Sequence, residues 1–217
     1  MSLRLFVFDL DGTLVDSLRD LADSANALLA ACEAPPLEDT AIGRMVGDGA
    51  ATLVARAFSA AGVLPPVDAL DRFLAIYETK LLDHTRPYEG MTDVLAALGA
   101  RTSLAVLTNK PRAATVRILD GLDLSRFFED EAIVGGDGPF SRKPDPAGLL
   151  QLCARAGVGA DEAMLVGDSP VDWRTARNAG TRICVARYGF GFRGFPQTEL
   201  SEGETVIDRP AELLSLA

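Results

Sequence analysis

LRLFVFDLDGTLVDS, residues Leu3–Ser17, decides how the rest of the chain is read. Leu5-Phe6-Val7-Phe8 is an unbroken apolar run, which suits a strand buried on both faces of a parallel sheet. The run stops at two carboxylates, Asp9 and Asp11, and then at Gly12, which can adopt the angles of a sharp turn. Acids at the carboxyl end of a buried strand stand where open α/β sheets place their ligands. Alternate strand residues point the same way, so Asp9 and Asp11 are expected on one face. Two anions that close repel unless a proton or a cation intervenes, and the spacing asks for a metal. Asp-Gly is also ordinary turn chemistry, so the motif needs support from elsewhere in the chain.

Composition narrows the field. The 217 residues allow one sizeable domain, or a domain carrying a smaller one. Hydrophobic content of 48% with 24% charged residues is globular, not disordered. A formal charge of −10 argues against nucleic acid or an anionic membrane as partner, since both reward a basic face. An anionic small-molecule substrate remains compatible, because a bound dication inverts the local field. Cys32, Cys153 and Cys184 form no CxxC pair and read as reduced residues of a cytoplasmic protein. No signal peptide is expected, and no apolar run approaches the ~20 residues of a membrane helix. Oligomeric state is not legible.

Downstream of the opening motif, Asp16 or Ser17 can cap a helix with apolar residues at Leu18, Leu21, Ala22, Ala25, Leu28, Leu29 and Cys32. Further helical periods run through Leu53–Ala61 and Leu70–Leu81, separated by Gly62 and Pro65-Pro66. No convincing strand interrupts 16–86. From Pro87 onward apolar runs alternate with helices: Leu104–Leu107, Ala132–Val134, Ala163–Val166, Arg182–Ala186 and a short Thr205–Ile207. Repeated βα units imply an α/β fold with a doubly wound parallel sheet. The core is then 1–15 with 87–217, and 16–86 is a helical insertion. Tyr188–Ser201, rich in Gly, Phe and Pro, reads as a long loop.

Three later strands end in chemistry. Leu104–Leu107 runs into Thr108-Asn109-Lys110-Pro111, where Pro111 suits a first helical turn and free N–H groups would cradle an anion. Lys143 precedes Pro144-Asp145-Pro146, a helix opening, and is one of only three lysines with Lys80 and Lys110. A compact point charge is suggested there. Met164-Leu165-Val166 ends in Gly167-Asp168, with Asp172 four residues on. Asp168 could complete a hard-oxygen site with Asp9 that suits Mg²⁺. Helix capping by Thr108 or Asn109, and by Asp168 or Ser169, is the plainer alternative for the two strand ends, and a solvated loop lysine is the plainer alternative for Lys143.

In that order, Asp9-x-Asp11-Gly12-Thr13, Thr108-Asn109, Lys143 and Gly167-Asp168-x₃-Asp172 resemble the four motifs of the haloacid-dehalogenase superfamily. The resemblance spans the whole chain. It implies a Rossmann-like core with Asp9 as nucleophile and Asp11 as general acid/base. It places Thr108, Asn109 and Lys143 on the phosphoryl oxygens. Mg²⁺ would be held by Asp9, the main chain of Asp11 and Asp168, supported by Asp172. An aspartate at position 11 argues for phosphate esters, since the superfamily's dehalogenases and phosphonate hydrolases lack it. The insertion resembles the small α-helical cap, and its loop Gly43-Arg44-Met45-Val46-Gly47-Asp48-Gly49 resembles that of phosphoglycolate phosphatases. Arg44 or nearby N–H groups are expected to hold a substrate carboxylate. Related caps serve sugar phosphates, including muramic-acid 6-phosphate, and pyrophosphate, and a hexose-phosphate mutase shares the class. A phospho-aspartate receiver switch is half this length and lacks the insertion. His84, the only histidine, is expected to be structural.

Overall fold

The computed structural model describes residues 2–201 and 203–217. The opening run forms β1 (Leu5–Phe8), buried at every position. It lies in a six-stranded parallel sheet with β4 (Ser103–Leu107), β5 (Ile133–Val134), β6 (Ala163–Gly167), β7 (Arg182–Ala186) and β8 (Thr205–Ile207). The order is β5-β4-β1-β6-β7-β8, so the chain winds outward from β1 in both directions. The carboxyl ends of β1, β4 and β6 therefore meet at the crevice where such sheets bind ligands.

The alternation of β1 explains its lack of polar residues. Phe6 and Phe8 join α5 (Met91–Gly99) and α6 (Arg112–Gly121) in one apolar layer, through Met91, Leu95, Ile118 and Leu119. Leu5 and Val7 join α7 (Ala147–Ala156) and α8 (Pro170–Ala179) in the other, through Leu149, Leu152, Trp173 and Ala176. A strand covered on both sides has no face for water, hence the continuous run.

Between β2 (Val15–Asp16) and β3 (Arg86–Pro87) the chain builds four helices: α1 (Leu18–Ala30), α2 (Asp39–Gly43), α3 (Ala50–Ala61) and α4 (Ala69–Lys80). β2 and β3 pair antiparallel where the chain leaves and re-enters the core. The sequence showed no strand there, because two-residue strands carry no measurable period. Asp20, buried on α1, pins this hinge. Its carboxylate accepts from the backbone N–H of His84 at 2.9 and 3.1 Å, from that of Thr85 at 2.8 Å, and from the Thr85 hydroxyl at 2.7 Å. A buried carboxylate is costly unless its lone pairs are satisfied, and these donors satisfy them. The His84 side chain is exposed, and the residue contributes through its backbone.

Residues 39–43 form the short helix α2, too short to show a period in the sequence. One loop reading needs correction. Tyr188–Ser201 is not a bare loop: it carries 3-10 turns over Phe190–Gly194 and Gln197–Glu199, and it buries Phe190, Phe192 and Phe195. Glycine content masked that apolar spacing. The three cysteines are free thiols, with Cys153 and Cys184 buried.

Candidate active site

The two carboxylates of the opening motif have different partners. Asp9 is buried, and the Nζ of Lys143 lies 2.8 Å from it. The same ammonium is 2.6 Å from Asp172 Oδ1. Asp172 Oδ2 accepts from the Ser169 hydroxyl at 2.6 Å and the Ser169 N–H at 3.1 Å, so Asp172 also braces the start of α8. Asp168 Oδ2 accepts from the Gly191 N–H at 2.8 Å.

Burial dominates the electrostatics of this cluster. It pushes the Asp9 carboxyl up to about 6 against the pull of Lys143, with Asp172 adding repulsion. Asp168 is raised well above the usual carboxylate range by burial, then by Asp172 and Asp9. Burial also works against the charge of Lys143, but Asp172 and Asp9 outweigh it and hold the ammonium above its ordinary value.

Oxygens of Asp9, Asp168 and Asp172 lie within 4.8 Å of one another, and all three residues are buried. With all three carboxylates ionised and a single ammonium, on Asp9 and Asp172, the cluster is two positive charges short of neutrality. An all-oxygen set with that deficit fits a hard dication.

Gly12 is required here by space as well as by its φ of 87°. A Cβ on Gly12 would stand 1.9 Å from Asp168 Oδ2, and one on Gly189 would stand 2.2 Å from the Gly12 carbonyl. Gly12→Ala is therefore expected to displace Asp168 and strain the turn, lowering stability by roughly 1–3 kcal/mol. Thermal melting checks the stability, and a metal titration followed by melting temperature checks the site. A variant melting like the parent, with an unchanged metal response, would contradict this packing.

Asp11, nearly buried, is held by a separate set. The Ser17 hydroxyl donates to its Oδ1 at 2.5 Å, and Lys110 Nζ donates to Oδ1 at 3.0 Å and Oδ2 at 2.8 Å. Lys110 also donates to the Tyr77 hydroxyl of α4 at 2.8 Å. Burial opposes the Lys110 charge, yet Asp11 and then Tyr77 hold the ammonium above its ordinary range.

Asp9, Asp11, Thr108 and Asn109 line a cavity of about 230 Å³ between the sheet and the inserted helices. The Asn109 amide is engaged: it donates to the carbonyls of Gly47 at 2.9 Å and Lys143 at 3.0 Å, and it accepts the Lys143 N–H at 2.8 Å. It ties the insertion loop to the core. At the start of α6, the Arg112 N–H is not free for an anion, because Asp137 Oδ1 accepts it at 2.7 Å. Within the loop, Gly47 and Gly49 line the cavity, Gly43 packs against Leu18, and Asp48 pairs with Arg56 at 2.7 Å. Arg44 is exposed at the end of α2 and is not part of the cavity wall.

Ser17, Tyr77, Lys110 and Gly191 are site residues to which the sequence reading gives no role in the site. Ser17 looked like a helix cap, but Asp16 Oδ1 accepts the Leu18 N–H at 3.1 Å and leaves the Ser17 hydroxyl for Asp11. Tyr77 fell within an apolar helical period. Lys110 carried one usable signal, being one of three lysines and adjacent to Thr108-Asn109.

Comparison with known proteins places this geometry. Residues 6–186 match the family described as haloacid dehalogenase-like hydrolase. The chain is 46% identical over 196 residues to a phosphoglycolate phosphatase of Rhodospirillum rubrum, covering 86% of this chain and 80% of that protein. It is 38% identical to one of Agrobacterium fabrum, covering 96% and 90%. A crystal structure from Haemophilus somnus, described as a predicted phosphoglycolate phosphatase, superposes with a TM-score of 0.89 at 30% identity, covering 99% of this chain and 98% of that one. With its four motif segments gathered at the carboxyl end of the sheet, the chain belongs to the haloacid dehalogenase-like hydrolase family.

Proposed function

We propose that this chain is a cytoplasmic, Mg²⁺-dependent phosphatase that hydrolyses 2-phosphoglycolate through an aspartyl-phosphate. The observation that carries the reading is the division of labour between Asp9 and Asp11 on one cavity wall. Residues 16–86 serve as the cap, and 1–15 with 87–217 as the catalytic core. Among the described residues no helix is long and apolar enough to cross a membrane. The names of the relatives motivate the choice of ester.

Asp9 Oδ attacks phosphorus, forming the Asp9–phosphoryl bond as the ester P–O bond breaks. Asp11 gives its proton to the departing oxygen, then takes one from the water that cleaves the acyl phosphate. Lys143 offsets charge on the transferring group, and the Thr108 hydroxyl orients one of its oxygens. Asp9, Asp168 and the Asp11 main chain, supported by Asp172, would hold Mg²⁺, which would supply positive charge beside the phosphoryl oxygens. The inserted helices exclude water while the reaction proceeds.

Phosphate release from 2-phosphoglycolate should fall to background in excess chelator and return with Mg²⁺. Ca²⁺ should restore it poorly, because it prefers more ligands at longer distances. Full activity with chelator or with Ca²⁺ alone would refute the metal assignment. A sugar phosphate or pyrophosphate turned over faster than 2-phosphoglycolate would refute the substrate.

A further inference from the structure

We propose that Lys110 and Tyr77 form a two-donor site for a carboxylate carried by the substrate, on the leaving-group side of the ester bond. The inference rests on the phosphatase reading and names the residues that select its substrate class: short phosphate esters with a carboxylate one or two atoms from the bridging oxygen.

Position comes first. Lys110 Nζ touches both oxygens of Asp11, the group assigned to protonate the leaving oxygen. A carboxylate attached next to that oxygen lies within reach of the ammonium. At the phosphoryl end, Lys143 is occupied by Asp9 and Asp172. The two buried lysines thus serve opposite ends of the ester.

Donor capacity points the same way. An ammonium has three N–H donors, and Lys110 directs two of them to one carboxylate. One bond suffices to keep Asp11 placed, so the other can turn to an incoming anion. Tyr77 accepts from Lys110 and donates to no acceptor among the described residues, so its O–H is available. Burial keeps that phenol protonated, pushing it up to about 12. Lys110 also lies 4.5 Å from the centre of the Tyr77 ring, which fixes the pair in one geometry.

The rest of the wall rejects the competing substrates. From the inserted segment the cavity receives mainly apolar side chains, Leu21, Leu53, Phe73, Leu74 and Leu81 among them. These offer nothing to sugar hydroxyls, which would lose their water partners on closing. The other cation of the wall, Arg117, is half-exposed and paired with Glu78 at 2.6 Å. Arg44 is outside the wall, so Lys110 replaces it as the carboxylate partner expected from sequence.

The test pairs two esters with two enzymes. 2-Phosphoglycolate is compared with its neutral carboxamide, 2-phosphoglycolamide, on the parent and on Lys110→Met, in the presence of Mg²⁺. The parent should favour the acid by about 10–100-fold in kcat/KM, the range of a lost hydrogen bond to a charged group. Lys110→Met should be slow on both, having lost a neighbour of Asp11, but should show no preference. Each ratio is read on one sample, so altered stability does not enter it. If Lys110→Met does not fold, Tyr77→Phe removes a single oxygen and should cut the preference about 5- to 10-fold. A preference retained by Lys110→Met, or by Tyr77→Phe where that variant is used, overturns the site. Equal rates on both esters by the parent overturn it too, and leave the phosphatase reading standing. No phosphate release from any ester takes down the phosphatase reading and the site with it.

Discussion

Asp9→Asn is expected to cut phosphate release by at least about 10⁴-fold, the scale on which removing a nucleophile is felt. The amide lacks both the charge and the attacking lone pair, and no other carboxylate on the cavity wall stands with Lys143. The loss should not come from unfolding. Asp9 in the folded chain titrates near 6 rather than at its ordinary 3.8, chiefly because it is buried. The sign follows directly: the folded state holds the proton more tightly, so stability falls as the pH rises from 3.8 through about 6. Above that window the parent bears the cost of an ionised Asp9, and the neutral amide does not. In chelator at pH 8, Asp9→Asn should melt no lower than the parent, and the difference should shrink toward pH 4. Mg²⁺ should raise the melting temperature of the parent more than that of the variant, since one ligand is gone. Turnover near the parental rate, with deamidation back to aspartate excluded by mass spectrometry, would remove Asp9 as nucleophile.

The contrast between what was legible in the sequence and what was not has a physical basis. β1 was readable because a strand covered on both faces must be apolar throughout, and Leu5–Phe8 is. The order of Asp9, Thr108, Lys143 and Asp168 was readable because each follows an apolar strand or opens a helix. Partners were not. Lys110 reaches Asp11 across 99 residues, and a sheet order of β5-β4-β1-β6-β7-β8 is what brings the two together. Tyr77 served the helical period as an apolar residue, and the cation that uses its hydroxyl comes from a different part of the fold. Gly191 contributes a backbone N–H, which no side-chain pattern advertises. Arg44 shows the opposite failure: glycines around it suggested a backbone close to a ligand, and α2 leaves its side chain in solvent.

Asp11→Asn should slow turnover of alkyl phosphates by about 10²–10⁴-fold, the usual worth of a general acid/base. The loss should be smaller on p-nitrophenyl phosphate, whose leaving group departs without a proton. Dephosphorylation of the aspartyl-phosphate should also slow, because the attacking water keeps its proton, so the phosphoenzyme should accumulate with the aryl ester. Equal losses on both esters, with no accumulation, would count against the acid/base role. Stability should move in the opposite direction from Asp9→Asn. Lys143 keeps Asp172 when Asp9 is neutralised, whereas Lys110 keeps only the Tyr77 hydroxyl when Asp11 is neutralised. Breaking a buried pair that leaves one charge uncompensated costs about 3–5 kcal/mol, and the amide oxygen, still an acceptor, places this variant toward the low end. Denaturant titration in chelator therefore separates the two variants. Two aspartates separated by a single residue, changed to the same amide, should differ in the sign of their effect on folding, because burial works against the charge of Asp9 while Asp11 is the one carboxylate paired with the buried Lys110 ammonium.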